Sequence, residues 1–229
     1  MKSNIKNDVL RAIDGVLPKR KRLNEAYVVS PRKFQLTTEK LSEKVKAARI
    51  RHFEKSVTTL NRVSAELDGA RIEEADNDIS NTFRNLKIAE SFAINDSFLQ
   101  GKYLDNISDP NSEINMDMLC YMRLTRDFGT FDNWQKHFIA CAKSSRDGYA
   151  VTAYSIYLRR YINFVVDSAD IGVPFSAIPV IVLDVSEGCY YRDYLDNLEL
   201  YVTNMMRELK WGIIDDRFKT CEKIARITE

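Results

Sequence analysis

Few residues in this chain could carry soft-metal or nucleophile chemistry. The cysteines are Cys120, Cys141, Cys189 and Cys221, far apart and without a C-x-x-C pair, and the histidines are His52 and His137 alone. A structural zinc site draws on closely spaced pairs of such residues. None is expected here; four reduced, mostly buried thiols in a reducing compartment are. His137 falls on the polar side of its helix and reads as solvated, while His52 reads either as a satisfied core histidine or as a contact residue. The chain has no G-x-x-x-x-G-K-[ST], no G-x-G-x-x-G after a strand, no G-x-S-x-G and no H-E-x-x-H, so phosphate cradles, nucleophile elbows and zincin chemistry find no support. What remains is carboxylate chemistry, spread over 33 Asp and Glu residues.

The elements that must position these groups belong to a chain of 229 residues, 45% apolar and 29% charged, with 8 Gly and 5 Pro. That is a globular composition, enough for one large domain or two small ones sharing a core. The longest apolar run, Ile178 to Leu183, is far short of the ~20 residues that cross a bilayer. Net charge is +1, but residues 1–55 hold 15 Lys+Arg against 6 Asp+Glu, so that end carries +9 and the rest −8. A basic end on a neutral protein implies an anionic partner. Residues 1–18 read as a short amphipathic helix. Asp8, Asp14 and the scarcity of Ser and Arg argue against a mitochondrial presequence, and the segment is expected to stay on the chain.

From Thr38 the apolar spacing turns helical, with Leu41, Val45, Ala48, His52, Ser56 and Leu60 on one face. Past Asp68-Gly69 and an acidic run, a second helix over about 79–100 presents Ile79, Phe83, Leu86, Ala93 and Asp96, making a helical hairpin. Residues 104–115 have turn chemistry. After Phe128-Gly129-Thr130 comes a helix carrying Trp134, Phe138 and Cys141. Three β-rich runs follow, Tyr149 to Tyr154, Tyr157 to Val166 and Val180 to Val185, and then helices over about 190–209 and 212–226. The expected fold is α+β. Its parts are a basic N-terminal extension (1–33), a helical hairpin (34–101), a connecting loop region (102–127) and a C-terminal domain (128–229) with a small three-stranded antiparallel sheet surrounded by helices.

Several of these segments, read together, resemble the iron/manganese superoxide dismutase family. Phe128-Gly129-Thr130-Phe131-Asp132 is similar to F-G-[ST]-F-D, and Gly148-Tyr149-Ala150-Val151 to G-W-A-W. Leu183-Asp184-Val185-Ser186-Glu187-Gly188-Cys189-Tyr190-Tyr191 is similar to L-D-V-W-E-H-A-Y-Y, and His52 to Asn61 resembles the H-H-x-A-Y-V-N-N-L-N of the hairpin. The resemblance covers about residues 30–226. It implies a redox metal held by three histidines and one aspartate. Carried over position by position, the histidines fall on Ala48, Asp96 and Gly188, and only the carboxylate position, Asp184, is kept. The two carboxylates that the resemblance so brings together, Asp96 in Asn95-Asp96-Ser97-Phe98 and Asp184 in Val182-Leu183-Asp184-Val185, fall short of the six or more oxygens that Mg²⁺ or Ca²⁺ prefers and are expected to be hydrogen-bonded in a filled site. The gateway tyrosine falls on Ser56, the tryptophan between the last two ligands on Ser186 and the iron-type glutamine on Phe92. First-row redox metals are normally held by imidazole, so the expectation is a chain that is not an enzyme and carries no cofactor. The subunit-linking positions of active members match Glu187, Tyr191 and His52, which are the expected dimer-interface residues.

A dismutase-like fold with a basic extension most resembles the superoxide-dismutase-like proteins of the mitochondrial ribosome small subunit. The expected function is accordingly a non-catalytic subunit of that particle in the mitochondrial matrix, paired as a heterodimer with a second dismutase-like protein and lying among ribosomal proteins. Ribosomal RNA would be contacted by Lys19, Arg20, Lys21, Arg22, Arg32 and Lys33. These would meet phosphates without reading sequence, because the segment has few aromatics to stack on bases. Two alternatives stay open: an accessory subunit of a respiratory or ATP-synthase complex, and an active dismutase with unusual ligands.

Overall fold

Local signals set most of the element boundaries. The computed structural model describes residues 28–227. Residues 28–42 form an extended strap along the hairpin. Asn61 clasps Val29 from both sides, its Oδ1 accepting from the Val29 N–H at 2.7 Å and its Nδ2 donating to the Val29 carbonyl at 2.9 Å. Further on, Arg32 donates to Asp105 at 2.8 Å, Thr37 Oγ1 to the Ser108 carbonyl at 2.9 Å, the Tyr194 hydroxyl to the Lys40 carbonyl at 2.7 Å, and the Ser42 N–H to Asp193 at 2.6 Å. Ser42 then caps helix α1 (Glu43–Asp68) by accepting from the Val45 N–H, as N-cap serines do. Helix α2 (Thr82–Asn106) is capped by Asn81. It starts later and ends later than its spacing suggested: Ile79 lies before it and is exposed, while Leu104 and Asn106, read as turn, are helical and buried.

The connecting region contains an unforeseen helix, α3 (Leu119–Phe128), followed across Gly129 by α4 (Phe131–Ser144). Strands β1 (Tyr149–Ser155), β2 (Arg160–Val166) and β3 (Ala177–Asp184) make an antiparallel sheet in the order β2-β1-β3. Gly148 enters β1 where a Cβ would meet the Val166 carbonyl oxygen at 1.9 Å. No other residue fits that approach. The single helix expected over 190–209 is two, α5 (Glu187–Tyr194) and α6 (Leu198–Met206). Leu195, at φ 54°, breaks the helical path and Asn197 caps the next helix. Helix α7 (Trp211–Ile227) closes the chain. Seven helices and one small sheet among the described residues give the α+β fold that the patterning implied.

One contiguous apolar cluster runs from Leu41 and Phe53 on the hairpin through Trp134, Ala150 and Leu183 to Phe218 and Cys221. The edge of β3 does not stay bare, which matters because unpaired edges invite further strands. Asn106 pairs with both backbone groups of Val182, at 2.9 and 3.0 Å, and Arg217 donates to the Val180 carbonyl at 2.9 Å. The hairpin is thereby tied to the sheet beside the carboxylates. Among the described residues no helix is long and apolar enough to cross a membrane.

Candidate functional site

Helical and strand registers bring the polar residues together. On α1, Arg49, His52 and Ser56 lie at i, i+3 and i+7; on α2, Phe92, Asp96 and Gln100 lie at i, i+4 and i+8, so each set shares a face. In the sheet Tyr149 opens β1 directly opposite Asp184, the last residue of β3. These faces meet at a pocket of about 380 Å³, lined among others by Arg49, His52, Asp96, Gln100, Tyr149 and Gly188. A larger hollow of about 670 Å³ at the far end of the hairpin, between Ala65 and Leu86, has its charges engaged in exposed pairs, Arg62 with Glu66 and Arg71 with Glu74. It assembles no comparable chemistry.

Both carboxylates are saturated with donors, as expected. Asp96 accepts from the Ser56 hydroxyl, from the Tyr149 hydroxyl at 3.1 Å and from His52 Nε2 at 3.3 Å. Burial pushes its pKa upward, but the bonds from His52, Ser56 and Tyr149 outweigh that and hold the group below the usual aspartate range. Asp184, fully buried, accepts from Gln100 Nε2 at 2.7 Å, from the Ser186 N–H and hydroxyl at 2.9 and 2.6 Å, and from Arg49 Nη1 at 3.3 Å. Burial pulls the Arg49 pKa down, yet the adjoining Asp184 carries it above its ordinary value, so the guanidinium is charged throughout. Gln100 Nε2 also donates to the Tyr149 hydroxyl at 2.8 Å and so joins the two halves of the cluster. Burial raises the Tyr149 phenol far above its ordinary range. Among the described residues the Arg49 Nε and Gln100 Oε1 atoms find no hydrogen-bond partner.

His52 lines the pocket with its side chain 39% exposed. Glu187 and Tyr191 are exposed on α5. The three residues expected at a subunit interface therefore have accessible surface, and of them His52 lines the pocket. Arg32 is engaged with Asp105 and lies over the Phe34 ring at 5.1 Å, and Lys33 is exposed. Lys19, Arg20, Lys21 and Arg22 lie outside the described residues. Sequence reasoning missed Arg49 and Gln100, although Arg49 is three residues before His52 and Gln100 four after Asp96, and both spacings were available as signals. The four cysteines are free, three of them buried. Burial pushes Cys120 and Cys189 up to about 12, which keeps them protonated and unreactive.

The model of the iron/manganese superoxide dismutases, C-terminal domain, matches residues 119–217. "Superoxide dismutase [Fe]" of Cupriavidus metallidurans is 30% identical over 140 residues, 60% of this chain and 68% of that relative. The chain belongs to the iron/manganese superoxide dismutase family. "Superoxide dismutase [Mn] 1" of Halobacterium salinarum is 32% identical over 97 residues, 42% of this chain and 48% of the relative, and "Superoxide dismutase [Mn] 1" of Haloferax mediterranei is 38% identical over 72 residues, 31% and 49%. The chain thus spans about half the length of these two relatives.

The expectation that this chain is not an enzyme is corrected by these matches, since the relatives are named as superoxide dismutases. Missing imidazoles bear on one ligand set and not on turnover as such. Iron or manganese, the metals in those names, can nevertheless be tested against the residues present. Among the described residues no group of three or more His, Cys, Asp or Glu could hold a metal ion. The Arg49 guanidinium also lies between Asp184 and Gly188, two of the four positions on which the family's ligands fall. A fixed positive charge there repels a cation, and the donor set does not fit.

Proposed function

We propose that this chain is a superoxide-dismutase-like subunit of the mitochondrial ribosome small subunit in the mitochondrial matrix, paired with a second dismutase-fold chain and set against ribosomal RNA. The observation that carries this reading is the exposure of Glu187, Tyr191 and, in part, His52, subunit-linking residue types that are free to meet a partner. The charge asymmetry supports the RNA side: +9 over residues 1–55 against −8 over the rest gains affinity for phosphates through counterion release. A heterodimer is favoured over a homodimer because an asymmetric particle gives the two halves different surroundings. The test is sedimentation of the native protein from mitochondrial extract. It is expected with the small ribosomal subunit, RNase-sensitive, and accompanied by one other dismutase-fold chain. Sedimentation with a respiratory or ATP-synthase complex, or as a free dimer, would overturn the reading.

Family membership favours a second reading, superoxide dismutation, which is the activity in the relatives' names. An assay of the purified protein measures it directly. Its outcome and that of the sedimentation experiment are independent.

A further inference from the structure

We propose that the Arg49 guanidinium serves as the permanent counter-cation of Asp184, in the place a metal would take, and that glycine at position 188 is what makes room for it. Asp184 is fully buried and the Arg49 side chain is only 12% exposed, although the two are 135 residues apart in sequence. Taking a carboxylate out of water is costly unless an opposite charge and hydrogen bonds replace the solvent. Arg49 Nη1 supplies that charge at 3.3 Å from Asp184 Oδ2 and also reaches the Ser186 hydroxyl at 3.3 Å. Ser186 Oγ in turn donates to Asp184 at 2.6 Å, so carboxylate, hydroxyl and guanidinium close a ring. A Cβ at position 188 would stand 2.8 Å from Arg49 Nη2 and 3.5 Å from its Cζ. The small residue and the guanidinium therefore belong to one arrangement, in which glycine at 188 gives space and Arg49 fills it. On this view the site has exchanged one cation for another and keeps its charge balance. The same ion pair joins the hairpin to the end of the sheet, a mechanical tie a bound ion would otherwise provide.

A double-mutant cycle on the full chain, read as thermal melting, tests this. Arg49→Ala should lower the melting temperature by roughly 6–20 °C, the range expected when one partner of a buried pair is removed from a domain of this size. Arg49→Ala with Asp184→Asn should lose clearly less than the two single losses added. Gly188→Ala should lower melting in the native background and leave it nearly unchanged in the Arg49→Ala background. Added Mn²⁺ or Fe²⁺ should leave the wild-type melting temperature where it is. Additive losses, an Arg49→Ala variant that melts like the wild type, or wild-type stabilisation by either metal would overturn the proposal. If Arg49→Ala is not recovered folded, the double variant decides: recovery of Arg49→Ala/Asp184→Asn in folded form supports the pairing, and its loss as well refutes it.

Discussion

The pocket between hairpin and sheet and the aromatic core beneath α4 and α7 are both buried, yet they are held by different physics. In the core Trp134 is fully buried among Phe131, Phe138 and Trp211, with ring centroids 4.9 to 5.9 Å away, and Tyr161 stacks on Phe218 at 4.2 Å. Its energy is area and shape, summed over many weak contacts. Around Asp96 and Asp184 a few directed bonds carry the load, and each matters because a buried polar group without a partner loses its solvation outright. A core of the first kind tolerates similar shapes; a cluster of the second kind tolerates only matched changes of charge. The expected effects of substitution follow that division.

The largest is expected in the core. Trp134→Ala removes the central ring and the indole N–H that donates to the Thr152 hydroxyl at 2.9 Å, leaving that hydroxyl its bond to Asn163 at 2.7 Å. Urea denaturation should show a loss of about 3–5 kcal/mol. Next comes Asp96→Ala, which takes the shared acceptor from Ser56, Tyr149 and His52, leaving Ser56 the His52 carbonyl at 3.0 Å and Tyr149 the Gln100 amide at 2.8 Å, and should cost about 1–3 kcal/mol in the same assay. A larger loss at Asp96 than at Trp134 would break the comparison and make the cluster the dominant anchor.

Acid should act on Asp215, a well-bonded carboxylate of the core. Burial pushes the Asp215 carboxyl upward, but the Cys120 N–H at 2.8 Å and Lys219 at 2.9 Å hold it below its usual value of 3.8. With the folded pKa below the unfolded one, its contribution is fully present above about pH 4 and lost as pH falls through the folded value. Unfolding free energy measured between pH 5 and 2 should therefore fall less steeply in Asp215→Asn than in the wild type. The smallest effect is expected at Lys143 and Glu199, an exposed pair at 2.9 Å linking α4 and α6. Glu199→Gln should change stability by about 0–1 kcal/mol, fading in salt.

The same division explains what could be read from the sequence. Periodicity encodes area burial, so Trp134, Phe138, the hairpin and three strands were legible. Helix α3 was not, because its N-cap is Met118, which offers no side-chain hydrogen bond to mark the start, and ten residues give little periodicity to count. The division of 190–209 turned on a single residue at positive φ, Leu195, and nothing about a leucine announces that. At the site the two aspartates and His52 could be named from spacing and resemblance. The spacing of Arg49 from His52 put it on the same face, but its role was not legible, since its partner lies 135 residues away and an arginine on a helix ordinarily reads as solvated. Glycine at the ligand position 188 marked a lost donor in the sequence, with no sign that Arg49 would stand against it.

The strap from Val28 to Ser42 has a consequence for how this chain bears load. Its attachments are strung along the backbone in order: Asn61 on α1, Asp105 on α2, Ser108 just past it, and then Tyr194 and Asp193 on α5. Tension applied at Val28, where the basic leader joins, reaches them one at a time, and the tether peels from its tip inward. Helix α1 keeps its footing until the clasp at Ser42 opens, so a tug on the basic end spends itself first on the bonds of Asn61 and Arg32 and on Phe34 against Phe53 before it reaches buried Leu41 and the packed interior.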